Sequence, residues 1–143
     1  MNIQHCPGCE IPNGEHLFRY CNPRIFPDDQ TDIPTAIYID EELSCDWEFY
    51  MKNPFTSFHI SEGCTKVIEI TVCDEIKNIR NPKRTGQIVP DWKQDIIYDP
   101  ISEEQDTRHG ANIAHTLIKG KKKAAVCNSL KEHSREVFRE DYE

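Results

Sequence analysis

A chain of 143 residues is long enough for one domain with a hydrophobic core and too short for two ordinary domains. Its 17 basic and 25 acidic side chains give a net charge of -8, which disfavours extensive binding to nucleic acid. Two Trp, five Tyr and six Phe argue against disorder, although 29% of the residues are charged. We therefore predict a single folded domain over residues 1–143, in which any contact with nucleic acid is local.

The cysteines and the apolar segments predict the cellular compartment. No apolar run reaches the length of a membrane span, and the N-terminal sequence lacks the basic and apolar regions of a secretory signal. Seven cysteines, an odd number, are expected to be free or metal-bound in a reducing compartment. The sequence therefore predicts a cytoplasmic protein with no membrane partner.

The N-terminal third predicts short strands separated by a long loop. Residues 17–21 have the composition of a strand, and the three prolines of residues 22–35 exclude a regular element there. Residues 36–40 again have strand composition. The acidic residues that follow suit the first turn of a helix.

That helix is predicted over residues 41–52. Its apolar residues recur at helical spacing: Leu43, Trp47, Tyr50 and Met51. The helix is expected to end before Pro54, because proline lacks an N–H and disfavours helical geometry in the preceding residue. One face of the helix would pack on the core.

A β-hairpin is predicted next, from residues 56–61 and 65–73. Both segments are rich in β-branched and aromatic residues, and a glycine turn separates them. Alternation along the second strand predicts which side chains face the core: Ile68, Ile70 and Val72. The hairpin would form part of the sheet.

The second half of the chain combines short strands with helices. A short helix is expected over residues 74–80, and short edge strands over residues 87–89 and 95–98, where prolines interrupt the pattern. The pattern turns helical from Ser102, and residues 122–143 predict one amphipathic C-terminal helix.

The predicted fold class is α+β: a small, mostly antiparallel sheet with covering helices and an N-terminal zinc-binding lobe. The lobe would occupy residues 1–24, and the α+β body residues 25–143. In this arrangement the lobe would brace the N-terminal edge of the sheet.

Four residues near the N-terminus have the types and order of a structural zinc site: Cys6, Cys9, His16 and Cys21. Three thiolates and one imidazole complete a tetrahedral shell with no open position, which is typical of structural zinc. The pattern C-x2-C-x6-H-x4-C resembles the zinc knuckle, C-x2-C-x4-H-x4-C, with a loop two residues longer before the histidine. His5 or a distant cysteine is an alternative fourth ligand. A chance pair of cysteines in a loose tail and a redox-active pair are the other interpretations.

The resemblance to the zinc knuckle implies binding of single-stranded nucleic acid through aromatic residues beside the metal. The nearest positions here are Phe18 and Tyr20, with Arg19 available for a phosphate. A second basic segment offers further contacts with phosphates: Lys119, Lys121, Lys122 and Lys123. Together these residues are the predicted contacts with nucleic acid or a partner protein, and the alternative for the lysines is a solvated turn.

An enzyme is the alternative function. Arg19, Glu48 and His115, with an aromatic residue such as Trp47 or Tyr50, form a set that is similar to that of small ADP-ribosyltransferase-like folds. In that interpretation Glu48 acts as a base or holds a ribose hydroxyl, Arg19 binds a phosphate, and His115 assists.

The leading prediction is a cytosolic, zinc-stabilised accessory module that binds a partner protein or single-stranded nucleic acid. The alternative is a small enzyme of nucleotide or ADP-ribose chemistry. The two differ in one geometric requirement, because the enzyme needs Arg19, Glu48 and His115 in one cleft.

Overall fold

The computed structural model describes residues 5–143, which fold around one six-stranded antiparallel sheet. The strands are β1 (His16–Cys21), β2 (Glu42–Trp47), β3 (Lys66–Thr71), β4 (Asp95–Tyr98), β5 (His115–Lys119) and β6 (Ser134–Val137). Their order across the sheet is β4-β5-β2-β1-β3-β6. The first strand in sequence therefore lies near the centre, between β2 and β3.

Helices are few and short. The α-helices are α1 (Phe58–Ser61), α2 (Asp74–Lys77) and α3 (Ala124–Glu132), and short 3-10 helices lie at Thr35–Tyr38, Pro54–Thr56, Pro90–Trp92 and Arg139–Tyr142. Among residues 5–143, no helix has both the length and the apolar character needed to cross a membrane.

Two hydrophobic cores lie on opposite faces of the sheet. The larger core takes alternate residues of the central strands, among them Leu17, Leu43, Cys45, Trp47, Ile68, Ile70 and Ile118. Helix α3 and the 3-10 helix Thr35–Tyr38 contribute to the same core. The smaller core, on the other face, is built on Phe18, Tyr20, Val67 and Val137. Alternation along each strand thus gives both faces of β1 and β3 apolar side chains to bury.

The fold class predicted from the sequence is wrong, because the protein is mostly one six-stranded antiparallel sheet with few and short helices. The segment predicted as a helix over residues 41–52 forms the central strand β2. Leu43, Cys45 and Trp47 alternate along it, and all three are buried. The spacing of Leu43 and Trp47 fits the two-residue repeat of a strand as well as the repeat of a helix. Pairing of residues 42–46 with β5 makes the segment a strand and not a helix.

The predictions of a hairpin and of one long C-terminal helix are also wrong in part. Only the second strand of the hairpin exists, as β3, because residues 54–61 form single helical turns. Ile68 and Ile70 of β3, and Val72 directly after it, are buried in the larger core, whereas Val67 belongs to the smaller core, so this alternation is confirmed. At the C-terminus, α3 ends at Glu132 and the chain returns to the sheet as β6.

An N-terminal zinc-binding lobe is not present in residues 5–143. Residues 16–21, assigned to that lobe, form β1 inside the sheet, and Cys6 is joined to Cys9 in a disulfide. The segment with this disulfide lies along the edge strand β4, where Gly8 N–H donates to Tyr98 O and Tyr98 N–H donates to Cys9 O. Backbone pairing with the sheet therefore organises the N-terminus.

Candidate functional site

A small cleft opens on the face of the sheet that carries the smaller core. Its volume is about 70 Å³, and it lies over strands β1, β2 and β5. Its lining is unusually rich in groups that exchange protons or carry charge: Arg19, Tyr20, Ser44, Cys45, Asp46, His59 and His115. Convergent polar groups in a cleft are one feature of binding and catalytic sites.

The imidazole of His115 connects a hydroxyl to a carboxylate inside this cleft. Its Nδ1 lies 3.1 Å from Asp99 Oδ2 and 2.8 Å from the backbone oxygen of Asp99, both of which are acceptors. Nδ1 must therefore carry the proton that it donates, which leaves Nε2 as an acceptor. Nε2 lies 3.2 Å from Ser44 Oγ. The three groups have the order nucleophile, base and orienting carboxylate.

The register of the sheet explains why these groups meet. His115 pairs directly with Asp46 across β2 and β5, and Ser44 lies two residues from Asp46 on the same face. Asp99 directly follows β4, and its N–H donates to the carbonyl of His115. Three neighbouring strands therefore supply the three groups, and a sheet holds side chains more rigidly than a loop.

Arg19 brings a positive charge to the wall of the cleft. Its Nη1 donates to the carbonyl of Ser44 at 3.0 Å, and its Nη2 lies 3.3 Å from Asp40 Oδ2. Its Nε–H is buried and has no hydrogen-bond partner within residues 5–143. A buried donor without an acceptor is uncommon in folded proteins and is often linked to function.

The floor of the cleft is a buried hydrogen-bond network around Asp46. Its carboxylate accepts hydrogen bonds from Tyr20 Oη and from the Asn112 amide, both at 3.0 Å. Burial, reinforced by the charge of Asp46, raises the pKa of Tyr20. His59 stacks on the Tyr20 ring at 4.5 Å, and its burial lowers the pKa of this imidazole. Tyr20 and His59 are therefore both neutral at pH 7.

Comparison of the chain with protein-family models, curated proteins and solved structures gives no match.

The enzyme hypothesis required three residues in one cleft, and two of them are there. Arg19 and His115 line the cleft, whereas Glu48 does not. Glu48 directly follows β2, where its backbone N–H donates to the carbonyl of His16. Ser44 and Asp99 were not predicted as partners of His115. They come from different parts of the chain, and only the pairing of β2, β4 and β5 makes them neighbours of His115.

The predicted zinc ligands do not surround one point in this structure. Cys6 and Cys9 form a disulfide, and His16 and Cys21 occupy opposite ends of β1. At about 3.3 Å per residue, the two ends of this strand are roughly 16 Å apart. Cys21 is also buried in the larger core.

The predicted contact residues for nucleic acid or a partner have different environments. Phe18 and Tyr20 are buried in the smaller core, so neither is displayed to solvent. Among the lysines, Lys119 lies 3.8 Å from Glu42, and Lys121 and Lys123 are exposed. Lys122 Nζ instead donates to three backbone carbonyls, those of Glu41, Ile118 and Gly120. Burial lowers the pKa of this amine to about 8.

A histidine-centred ion-pair cluster holds the loop between β4 and β5 against α1. His109 Nε2 lies 2.8 Å from Glu62 Oε1, and its Nδ1 lies 3.0 Å from Asp106 Oδ2. The His109 ring stacks on Phe58 at 4.1 Å, and Arg108 lies 3.1 Å from Glu62. We call these residues the loop clasp.

The loop clasp is expected to weaken as the pH rises. Hydrogen bonds from Glu62 and Asp106 raise the pKa of His109 above its ordinary 6.5. The contribution of His109 is therefore complete below 6.5 and is lost as the pH rises through the raised value. We expect tryptic cleavage after Arg108, relative to cleavage after the exposed Arg84, to increase over that range. In His109→Gln the ratio should be high and independent of pH, and a pH-independent ratio in the native chain would contradict the clasp.

Proposed function

We propose that this protein is a small hydrolase in which Ser44 is the nucleophile, His115 the general base and Asp99 the group that orients His115. The observation that carries the proposal is the continuous hydrogen-bonded series from Ser44 Oγ through His115 to Asp99. A serine hydroxyl is a weak nucleophile at neutral pH, and an adjacent base that is itself oriented by a third group activates it. The series has this composition and geometry.

The chemistry is acyl transfer through a covalent intermediate. Ser44 Oγ attacks the carbonyl carbon of an ester while its proton passes to His115 Nε2, and Asp99 stabilises the imidazolium that forms. The C–O bond to the leaving alcohol then breaks, and the alcohol takes the proton from His115. Water, activated by the same imidazole, releases the acid and restores Ser44.

Arg19 and the cleft volume indicate the substrate class. The guanidinium lines the cleft beside Ser44, where a positive charge stabilises the oxyanion of the tetrahedral intermediate. A volume of about 70 Å³ is roughly twice the share of one water molecule in the liquid. The cleft therefore fits a short acyl group, such as acetyl, with the alcohol portion outside it.

The proposal is tested with a fluorophosphonate probe. Ser44 Oγ attacks phosphorus, the P–F bond breaks, fluoride leaves and the hydroxyl proton passes to His115. Mass spectrometry of the native chain is expected to find one adduct, on Ser44. The adduct should be absent in Ser44→Ala and retained in the matched control Ser61→Ala, since Ser61 is exposed and bonded only to the carbonyl of Phe58. An unlabelled native chain, or labelling that persists in Ser44→Ala, would overturn the proposal.

The alternatives have less support. Transfer of ADP-ribose by Arg19, Glu48 and His115 needs Glu48 in the cleft, and Glu48 lies outside it. Binding to single-stranded nucleic acid or a partner protein loses two of its proposed contacts, because Phe18 and Tyr20 are buried, and keeps the exposed Lys121 and Lys123. We also propose a cytoplasmic location, because five of the seven cysteines are free thiols; within residues 5–143, the Cys6–Cys9 disulfide is the one feature typical of an oxidising compartment.

A further inference from the structure

Cys73, Glu75 and His133 form a cluster of three metal-ligating groups away from the cleft. One ligand atom of each residue lies within 4.8 Å of the other two. Cys73 and His133 are partly buried, and Glu75 is exposed. His133 is far from the other two residues in the sequence, yet its Nε2 lies 3.9 Å from Glu75 Oε2. The cluster is the single group of this kind in residues 5–143.

The packing of two helices sets the positions of these groups. Cys73 and Glu75 lie at the N-terminal cap and in the first turn of α2, and His133 caps the C-terminus of α3. Ser129 connects both helices, because its hydroxyl donates to the carbonyl of Glu75 and its own carbonyl accepts from His133 Nδ1, each at 2.8 Å. Ser129 therefore holds the His133 ring beside the backbone of Glu75.

The tautomer of His133 is the one that a metal ion needs. Its Nδ1 donates to the carbonyl of Ser129, so Nε2 carries the free lone pair, and Nε2 is the atom that faces Glu75. Metal-binding histidines commonly donate their other ring N–H to a backbone carbonyl in this way, which fixes the ring and raises its basicity. This hydrogen bond is a separate observation from the short distances between the three ligands, and it also favours binding of a metal ion at Nε2.

The ligand set selects the metal. One sulfur, one imidazole nitrogen and one carboxylate oxygen suit zinc, whose bonds to these atoms are about 2.0 to 2.3 Å long. Tetrahedral geometry with such bonds places ligands about 3.4 Å apart, so the cluster needs only small side-chain movements. Three protein ligands leave a fourth position open. Glu75 and Ser129 also line a groove of about 360 Å³ between α2 and α3.

We propose that Cys73, Glu75 and His133 bind one Zn²⁺ ion, with Ser129 as the positioning residue and the fourth coordination site open to the groove. This site is separate from the hydrolytic cleft and from the cysteines at the N-terminus.

Cobalt is the probe for the test, because Co²⁺ occupies zinc sites and its thiolate complexes absorb in the near ultraviolet. The full chain is reduced and carries Cys6→Ser and Cys9→Ser, which removes the thiolates of the N-terminal segment. Titration is expected to give a thiolate-to-cobalt band that saturates at one ion per chain and is displaced by Zn²⁺. Cys73→Ser should abolish the band, whereas the matched control Cys64→Ser should keep it.

The remaining ligands are tested through affinity. Glu75→Gln alters an exposed side chain and leaves the fold intact, yet it should weaken zinc binding at least tenfold, as should His133→Gln, since even outer-shell partners contribute about 10- to 100-fold. Ser129→Ala should weaken it less. Failure of the reduced chain with Cys6→Ser and Cys9→Ser to bind Co²⁺ or Zn²⁺ at micromolar concentration, a band that survives Cys73→Ser, or unchanged affinity in Glu75→Gln would overturn the proposal.

Discussion

His115→Ala is expected to slow the labelling of Ser44 by the fluorophosphonate probe by about 10² to 10⁴-fold, the usual contribution of a general base. The imidazole is the acceptor of the Ser44 proton, with 3.2 Å between His115 Nε2 and Ser44 Oγ. Without it, the hydroxyl reacts at its intrinsic rate. The measurement is the second-order rate constant of labelling, followed by mass spectrometry on protein whose circular dichroism matches that of the native chain.

Two further variants make this prediction sharper. Asp99→Asn removes the carboxylate but keeps the backbone carbonyl that also accepts from His115 Nδ1 at 2.8 Å, so the tautomer persists and the loss should be smaller than in His115→Ala. His16→Ala replaces a histidine at the start of β1 that does not line the cleft, and it should label at the native rate. Equal rates for His115→Ala and His16→Ala would mean that Ser44 is not activated by His115.

Trp47→Ala is expected to lower the free energy of unfolding by about 3 to 5 kcal/mol, the usual cost of removing a large aromatic side chain from a core. Trp47 is only 2% exposed and lies on β2, between β1 and β5. Its ring packs near Tyr98 at 5.6 Å, and its Nε1 donates to Glu15 Oε1 at 2.9 Å. The substitution therefore leaves a cavity and also an unpaired acceptor. Urea unfolding measures the change.

Phe49→Ala is the matched control for Trp47→Ala. Phe49 belongs to the same aromatic group, with its ring 5.7 Å from that of Trp47, but it is 38% exposed. Its replacement should cost less than about 1 kcal/mol, because water already reaches the ring. If both substitutions had the same cost, Trp47 would not be a central core residue, and the strand assignment of β2 would be contradicted.

Alternation within single strands could be predicted from the sequence where it has one interpretation. Ile68 and Ile70 in β3, and Val72 directly after it, face the larger core as expected, because a segment rich in β-branched residues favours a strand. In β2, the same kind of evidence was ambiguous, because Leu43 and Trp47 fit both periods. Long-range pairing with β5 decided between helix and strand, and local periodicity contains no information about a distant partner strand.

The candidate cleft was predictable only in part for a related reason. Arg19 and His115 were identified by residue type, since few side chains suit phosphate binding or proton transfer at neutral pH. Ser44 and Asp99 are ordinary residues in isolation. They acquire a role from their distances of 3.2 and 3.1 Å to the two nitrogens of His115.

The sequence by itself determined the apolar face of β3 that packs on the larger core, because short-range alternation is a local property. The tertiary structure alone decided that β1 lies inside the sheet and that Cys6 pairs with Cys9, away from His16 and Cys21. It also decided which groups meet His115 and which meet His133. These outcomes depend on contacts between residues far apart in the chain, such as His115 and Ser44 at a separation of 71, and only the free energy of the whole packed sheet selects among such contacts.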